Sequence, residues 1–333
     1  MDAPLWTDEH APDLAELPQA SVRDYLQRAV AEPINLVVYG PRGAGKTAAI
    51  RALARETHAD PDNDFVEINV ADFFGRTKTD IKNDPRFSAF LQGRSRMSKR
   101  DMISHVLKEQ AAYAPVSGDY RTILLDNSEA IREDFQQALR RVMERHHRAT
   151  QFVIATRQPS KLIPPIESRC FPVPMRSPTH AETVAVLERI VDREGVDYDT
   201  DGIEYVAGYG GGDLRKAILG AQTAYEDAGE VTMQAAYDAL GDVGMRDRLD
   251  SVLDDADAGS FEAARKGLDE LLYNEGFQGE EVLRELLAAA RGRYTGRELA
   301  RVHELAGDVD VELAAGTNDR VHLSRLLAEL GRT

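Results

Sequence analysis

The segment Gly40-Pro41-Arg42-Gly43-Ala44-Gly45-Lys46-Thr47 has the residue types and spacing of a loop that cradles phosphate. Its glycines let successive backbone N–H groups face one phosphate, and the helix that follows presents its positive end to the same group. Lys46 supplies charge to the β- and γ-phosphates of a nucleotide, and the Thr47 hydroxyl is a ligand for Mg2+. Pro41, Gly43, Ala44 and Gly45 complete the turn. A chance match of eight residues is possible in any long chain, so context decides. Here an apolar run, Ile34–Tyr39, enters the loop and an Ala-rich helical stretch leaves it, ending near Glu56. That is the strand, loop and helix order the motif requires.

Such a site needs an acidic residue at the end of a second core strand. Ile123-Leu124-Leu125-Asp126 supplies it, and Asp126 is expected to hold Mg2+ through water. The next position carries the reaction. A Glu there polarises the attacking water in hydrolysing sites of this kind, but this chain has Asn127. An amide is nearly isosteric with a carboxyl group yet takes no proton. General-base help is worth ~10² to 10⁴ in rate, so Asn127 predicts slow hydrolysis at this site. Glu129 is close in sequence and is expected to start the next helix rather than to replace the missing base.

The elements that must position these residues follow from periodicity. Strands are expected at Phe65–Asn69, Thr122–Asp126, Phe152–Thr156 and Phe171–Val173, separated by helical patterns such as 131–147. Strands alternating with helices imply a parallel, doubly wound α/β sheet, ending near residue 174. Pro172, Pro174 and Pro178 punctuate that boundary. From Thr179 to Leu240 the pattern gives three or four helices and no strand. Beyond Met245 it stays helical, with stretches at Phe261–Tyr273, Glu280–Ala290, Arg297–Ala306 and Val321–Leu330. The expected plan is an α/β nucleotide-binding domain over 1–174, a small helical domain over 175–242 and a helical C-terminal domain over 243–333.

Composition sets the outer limits. The chain has 333 residues, 42% of them apolar, enough for several packed cores and too many for a disordered chain. No apolar run approaches the roughly 18 residues of a membrane span, and the acidic, Pro-containing first fifteen residues do not read as a secretory leader. The single cysteine, Cys170, excludes an internal disulfide, and no Cys/His cluster has zinc spacing. The net charge is −16, with 57 acidic residues against 41 basic ones, and only eight of the cations are lysine. An acidic, Lys-poor surface suits a cytoplasm kept at high salt, which is the expected location. Arginine codon bias in a GC-rich genome would explain the arginines but not the acid excess.

Several further stretches, in order, carry a family resemblance over nearly the whole chain. Gln136-Gln137-Ala138-Leu139-Arg140-Arg141-Val142-Met143-Glu144 is similar to the helix after the acidic box in the small subunits of replication factor C, the archaeal and eukaryotic sliding-clamp loader of the AAA+ class. The run from Ser160 to Cys170 ends in that family's Ser-Arg-Cys signature. The stretch Gly211-Gly212-Asp213-Leu214-Arg215-Lys216 matches the opening of its last lid helix. Gly316-Thr317-Asn318, with Leu323 and Leu326-Leu327, resembles the last collar helix, and Trp6 and Pro12 resemble the N-terminal element. The resemblance implies an AAA+ domain, a helical lid and an oligomerising collar. It also implies ATP as the nucleotide, with other loader subunits in a hetero-oligomer, the sliding clamp and primer–template DNA as partners, and no membrane.

The resemblance also assigns roles. Arg169 would be an arginine finger acting in trans on the γ-phosphate held by a neighbouring subunit, a contribution worth ~10³ to 10⁵ in related switches. Arg215 would be the lid arginine that senses the γ-phosphate. The departures fall on the subunit's own apparatus: Asn127 at the base position, Arg157 where the family has a polar sensor that is usually Asn, and His10-Ala11-Pro12 in place of Tyr-Arg-Pro near the adenine pocket. Arg169 is untouched. The reading that follows is a subunit that binds ATP and does more for its neighbour's hydrolysis than for its own. Alternatives are a non-hydrolysing ATP-binding scaffold of the same complex, an autonomous ATPase, and an origin-binding initiator. The last would need a winged helix with a β-hairpin, for which the chain after Met245 shows no strand pattern.

One stretch runs against the bulk charge. Between Arg76 and Lys108 nine cations face three acids, a local charge of +6 that leaves −22 on the remainder. A basic island of this kind is the footprint of a phosphate-backbone partner, with no spacing that reads bases. Arg94, Arg96, Lys99 and Arg100 are the candidate DNA contacts, Lys99 and Arg100 starting a helix that in the family lines the DNA-facing channel. Phe73-Phe74, with Val70, faintly resembles a clamp-binding box, but the pair reads better as packing.

Overall fold

The computed structural model describes residues 4–71, 77–83, 97–240, 242–274, 277–316 and 318–331. Two compact units emerge, Met1–Ala236 and Tyr237–Thr333.

The first unit is built on a five-stranded parallel sheet. Its strands are β1 (Leu36–Tyr39), β2 (Phe65–Asn69), β3 (Arg121–Asp126), β4 (Thr150–Thr156) and β5 (Phe171–Pro174). Their order across the sheet is β2-β3-β4-β1-β5. The alternation of side chains along each strand divides the core in two. Val37, Ile123, Leu125, Phe152 and Ile154 point to one face, where helices α3 (Lys99–Ala112) and α4 (Glu133–His146) add Met102, Val106, Phe135 and Leu139. Leu36, Val38, Leu124, Val153 and Ala155 point to the other, against α1 (Ala20–Ala31) and α2 (Lys46–Thr57). A sheet covered on both faces needs apolar residues at consecutive positions, which is why β3 and β4 read as continuous apolar runs rather than alternating ones.

Helix α4 begins at Glu133, later than the pattern suggested, and Glu129 lies in a preceding 3-10 turn, Ser128–Ala130. Strand β5 contains Pro172 and Pro174 and still pairs with β1. It lies at the sheet's edge, where the donors that proline lacks are not needed by a second neighbour.

Four helices follow among the described residues: α5 (His180–Glu194), α6 (Thr200–Gly210), α7 (Leu214–Ala228) and a shorter one at Met233–Leu240. The expectation of no strand in this stretch is corrected by a two-residue parallel ladder, β6 (Asp197–Tyr198) with β7 (Glu230–Val231). Each follows a helix closed by a left-handed glycine, Gly195 and Gly229. Two residues are too few to leave an alternating pattern in sequence. The N-terminal segment returns to α7: Trp6 is buried, stacks on Tyr225 with ring centroids 5.6 Å apart, and donates its backbone N–H to the Gln222 side chain at 2.9 Å.

The elements of the second unit, among its described residues, are all helical. Helices α8 (Asp242–Asp257), α9 (Phe261–Asp269), α10 (Gly279–Arg293), α11 (Gly296–Ala314) and α12 (Asp319–Leu330) enclose a core of Leu253, Leu268, Leu286, Val302, Leu323 and Leu327, among others. The stretch expected as one helix to Tyr273 leaves α-geometry at Glu270 and continues as a π-turn to Asn274, which seats Leu271 in that core. Arg320 closes the unit with two bonds to Asp269 at 2.5 and 2.7 Å.

Candidate nucleotide site

At the carboxyl ends of the parallel strands lies a cleft of about 550 Å³. This is where ligands bind in open α/β sheets. The loop after β1 forms its floor. Gly43 has a φ of 71°, and a Cβ on it would fall 2.1 Å from the Asp213 carboxyl carbon. Gly40 meets a different wall: a Cβ there would stand 1.9 Å from the Met175 carbonyl oxygen. These two positions therefore exclude any side chain, and the loop's backbone is free to face a phosphate. The Gly43 carbonyl accepts from the backbone N–H of Leu214 at 3.1 Å, so the phosphate loop touches the first turn of α7.

Lys46 reaches back over the loop and donates to the carbonyls of Gly40 at 2.9 Å and Pro41 at 2.7 Å. Burial holds its pKa below the ordinary lysine value, with the nearby carboxylates Asp126 and Glu129 acting in the opposite sense. The Thr47 hydroxyl donates to Asp126 Oδ2 at 2.8 Å, so the loop's Thr and the acid at the end of β3 already meet. A hydroxyl and a carboxylate oxygen in contact are hard-oxygen donors of the sort Mg2+ takes while keeping several waters. These two residues fit the metal, and Mg2+ bound there would neutralise phosphate charge.

Asn127 follows Asp126 in a left-handed conformation, φ 51° and ψ 46°, and is the one described residue other than glycine with a positive φ. Asn tolerates that region better than most residues. Its backbone N–H donates to Asp126 Oδ1 at 2.8 Å. Glu129 and Arg157 stand beside it. Arg157 Nε donates to Glu129 Oε1 at 2.5 Å, and the Arg157 backbone N–H reaches Oε2 at 3.4 Å. Burial alone would raise the Glu129 pKa; hydrogen bonds from its own backbone and from Arg157 outweigh this and hold it below the ordinary value. Sequence reasoning named both residues but had no signal for their contact, which joins positions 28 apart through the adjacency of β3 and β4.

The opposite wall comes from the N-terminal segment and the lid helices. Thr7, His10 and Pro12 line it together with Val186, Arg189 and Ile190 of α5 and Ile218 of α7. His10, which replaces a tyrosine of the family pattern, is tied to Glu194 at the end of α5. Arg215 lines the cleft from the exposed first turn of α7 and makes no ion pair among the described residues. Arg169 is not among the residues lining the cleft. It follows a short helix, Pro164–Glu167, and is fixed on the surface by Glu144 at 2.6 Å and the Pro165 carbonyl at 2.7 Å. Glu144 is shared with Arg140 at 3.0 Å. Cys170, next to Arg169, has its thiol pushed up to about 12 by burial, which disfavours the thiolate.

The DNA candidates divide. Lys99 and Arg100 occupy the first turn of α3, which Ser98 caps by accepting from the Asp101 backbone N–H at 3.1 Å. Arg94 and Arg96 lie outside the described residues, as do Phe73 and Phe74.

Comparison with known proteins agrees with this architecture. Residues 36–175 match the family described as ATPase family associated with various cellular activities (AAA), and residues 245–329 match the replication factor C C-terminal domain. A replication factor C small subunit of Archaeoglobus fulgidus is 31% identical over 300 residues, covering 89% of this chain and 86% of that protein. The small subunit of Halobacterium salinarum is 29% identical over 333 residues, covering 98% and 95%. Among solved structures, the Thermotoga maritima RuvB Holliday junction branch migration motor aligns with a TM-score of 0.51 at 15% identity, covering 71% of this chain and 76% of that one, a likeness of fold alone. The fold and the cleft define a phosphate-loop protein of the AAA class. Within that class, the chain belongs to the replication factor C small-subunit family.

Proposed function

We propose that this chain is a clamp-loader subunit that binds ATP with Mg2+ in the cleft, contributes little hydrolysis there, and supplies Arg169 to the nucleotide of a neighbouring subunit. The observation that carries the reading is the meeting of Thr47 with Asp126 above the Lys46 loop, directly beside an amide at Asn127. The parts that hold phosphate and metal are in contact, whereas the residue that would take a proton from water is absent. The exposed position of Arg169, outside the cleft, supports action in trans. ATP binding between α2 and the lid would draw α5 and α7 onto the sheet through Arg215, and hydrolysis in the assembly would loosen it. Lys99 and Arg100, in the first turn of α3, would track the phosphate backbone of primer–template DNA, aided by the helix N-terminus. The helical unit would supply the collar that joins subunits. On this reading the domains run 1–174, 175–242 and 243–333, and the protein works in the cytoplasm.

A second reading, a non-hydrolysing scaffold, is favoured by Asn127 and Arg157 as a description of this subunit's own site. The two merge where the complex hydrolyses ATP at other subunits, and ATP turnover at high salt tests both. The chain alone should turn over negligibly; with its partner subunits, clamp and primed DNA, turnover should rise and should fall about 10³-fold or more at the neighbouring site on Arg169→Ala. Turnover in the assembly that ignores Arg169→Ala removes the finger donation that both readings share. Brisk turnover by the chain alone would instead make it an autonomous ATPase.

A further inference from the structure

Arg157 and Glu129 belong neither to the phosphate loop nor to its metal-binding pair, yet both line the cleft. Glu129 comes from the turn after β3 and Arg157 from the first residue after β4, neighbouring strands whose carboxyl ends form the cleft edge. Lys46 feels the charge of both, so the pair stands within electrostatic reach of the phosphate-binding lysine. The contact does little for packing. The Arg157 side chain is 53% exposed, and Glu129 meets it from a more sheltered position at 13%. The result is a guanidinium beside a phosphate loop, held meanwhile by a carboxylate.

A terminal phosphate presents more negative charge than a carboxylate and three acceptor oxygens, and a guanidinium fork matches phosphate geometry with two donors. The geometry points to an exchange latch: Glu129 holds Arg157 in the phosphate-free cleft, and the γ-phosphate of a bound nucleoside triphosphate takes Arg157 over and releases the Glu129 carboxylate into the cleft. This rests on the nucleotide-binding reading and adds a specificity to it. A diphosphate has no γ-group with which to claim Arg157 and leaves the pair closed. The work of opening the pair is then subtracted from triphosphate affinity alone, because a ligand shifts a two-state equilibrium only by its differential affinity for the two states. Arg157 departs from the family pattern, and it does so in contact with Glu129.

The test is a fluorescence titration of the full chain with Mg2+ and either a non-hydrolysable ATP analogue or ADP. It uses wild type, Glu129→Gln, Arg157→Gln and the double variant. Glu129→Gln, which removes the anion that holds Arg157, should tighten the triphosphate analogue about fivefold, and Arg157→Gln should weaken it about tenfold. ADP, which reports that the cleft is folded, should shift less than about twofold in each, and the double variant should match Arg157→Gln, because Glu129 then has nothing to hold. The latch is overturned if Glu129→Gln leaves triphosphate affinity unchanged or weaker, or if the two effects simply add. Wild type that binds both nucleotides, with a preference neither substitution alters, removes the latch and leaves the nucleotide reading standing. Wild type that binds neither removes both.

Discussion

The two sides of the cleft floor have followed different rules. On the loop side, Gly40 to Thr47 and Asp126 match the groups that the proposed phosphate and Mg2+ site calls for, and Thr47 meets Asp126 at 2.8 Å. On the strand-edge side, Asn127 and Arg157 depart from the family pattern together, and Glu129 stands in contact with Arg157. The missing carboxylate at 127 has a counterpart two residues on, but that carboxylate is committed to a guanidinium that the pattern also lacks. On the proposed function, the difference teaches that binding and turnover are separable in this architecture. Binding would use backbone and one lysine on a loop. Turnover would use side chains at the ends of two strands, which can change without disturbing the loop.

The largest effect should come from restoring what the strand edge lacks. Asn127→Glu returns a proton acceptor beside Asp126, and general-base help of this kind is worth ~10² to 10⁴ in rate. Glu is less suited than Asn to a positive φ, so the substitution should also destabilise the turn by about 1–2 kcal/mol. Single-turnover hydrolysis would be followed in a complex whose other subunits carry substituted phosphate-loop lysines, so that this site alone is read. A rate unmoved by Asn127→Glu would mean that position 127 is not what slows the site, and the contrast between the two sides would fail.

On the loop side, Lys46→Ala should remove a charged donor worth about 2–3 kcal/mol, roughly a hundredfold in affinity. Its signature sharpens the comparison: diphosphate and triphosphate should both weaken, because Lys46 serves phosphates that both ligands carry. Arg157→Gln should affect the triphosphate alone. Isothermal titration with ADP and an ATP analogue distinguishes the two patterns, and a Lys46→Ala chain that still binds ADP with wild-type affinity would displace the loop from the site.

The loop side was legible in sequence and the strand-edge side only in part, for a physical reason. Gly43 and Lys46 act within eight consecutive residues whose spacing is itself the signal. Asp126 ends an apolar run, so burial of β3 on both faces announced it. The exchange of partners between Glu129 and Arg157 depends on β3 lying beside β4, and no local pattern encodes that adjacency. The same holds for His10 with Glu194 and for Arg169 with Glu144, pairs 184 and 25 residues apart. The fold followed the same division. The sheet and the long helices were visible as periodicity, whereas β6, β7 and the π-turn at Glu270 are too short to leave one.

The smallest predicted effect concerns the wall opposite both sides. Helix α5, which lines the cleft with Val186, Arg189 and Ile190, is launched by a capping box: Thr179 accepts from the Glu182 backbone N–H, and Glu182 accepts in return from the backbone N–H of Thr179. Arg176, two residues past β5, adds two bonds to the same carboxylate, each 2.7 Å. These bonds from Arg176, ahead of the opposing effect of burial, pull the Glu182 carboxyl down to about 2. A carboxyl whose folded pKa lies below its ordinary value of 4.5 stabilises the fold above that ordinary value and loses the contribution as pH falls from there toward 2. The guanidinium is largely in solvent, so screening keeps the gain small. Glu182→Gln should therefore lower the urea midpoint slightly at neutral pH and converge on wild type by about pH 2, a change of slope rather than of level. Midpoints that stay parallel across that interval would show that Arg176 and Glu182 do not hold the start of α5. The lid wall would then be set by packing alone, and its response to nucleotide would have to come from the cleft floor.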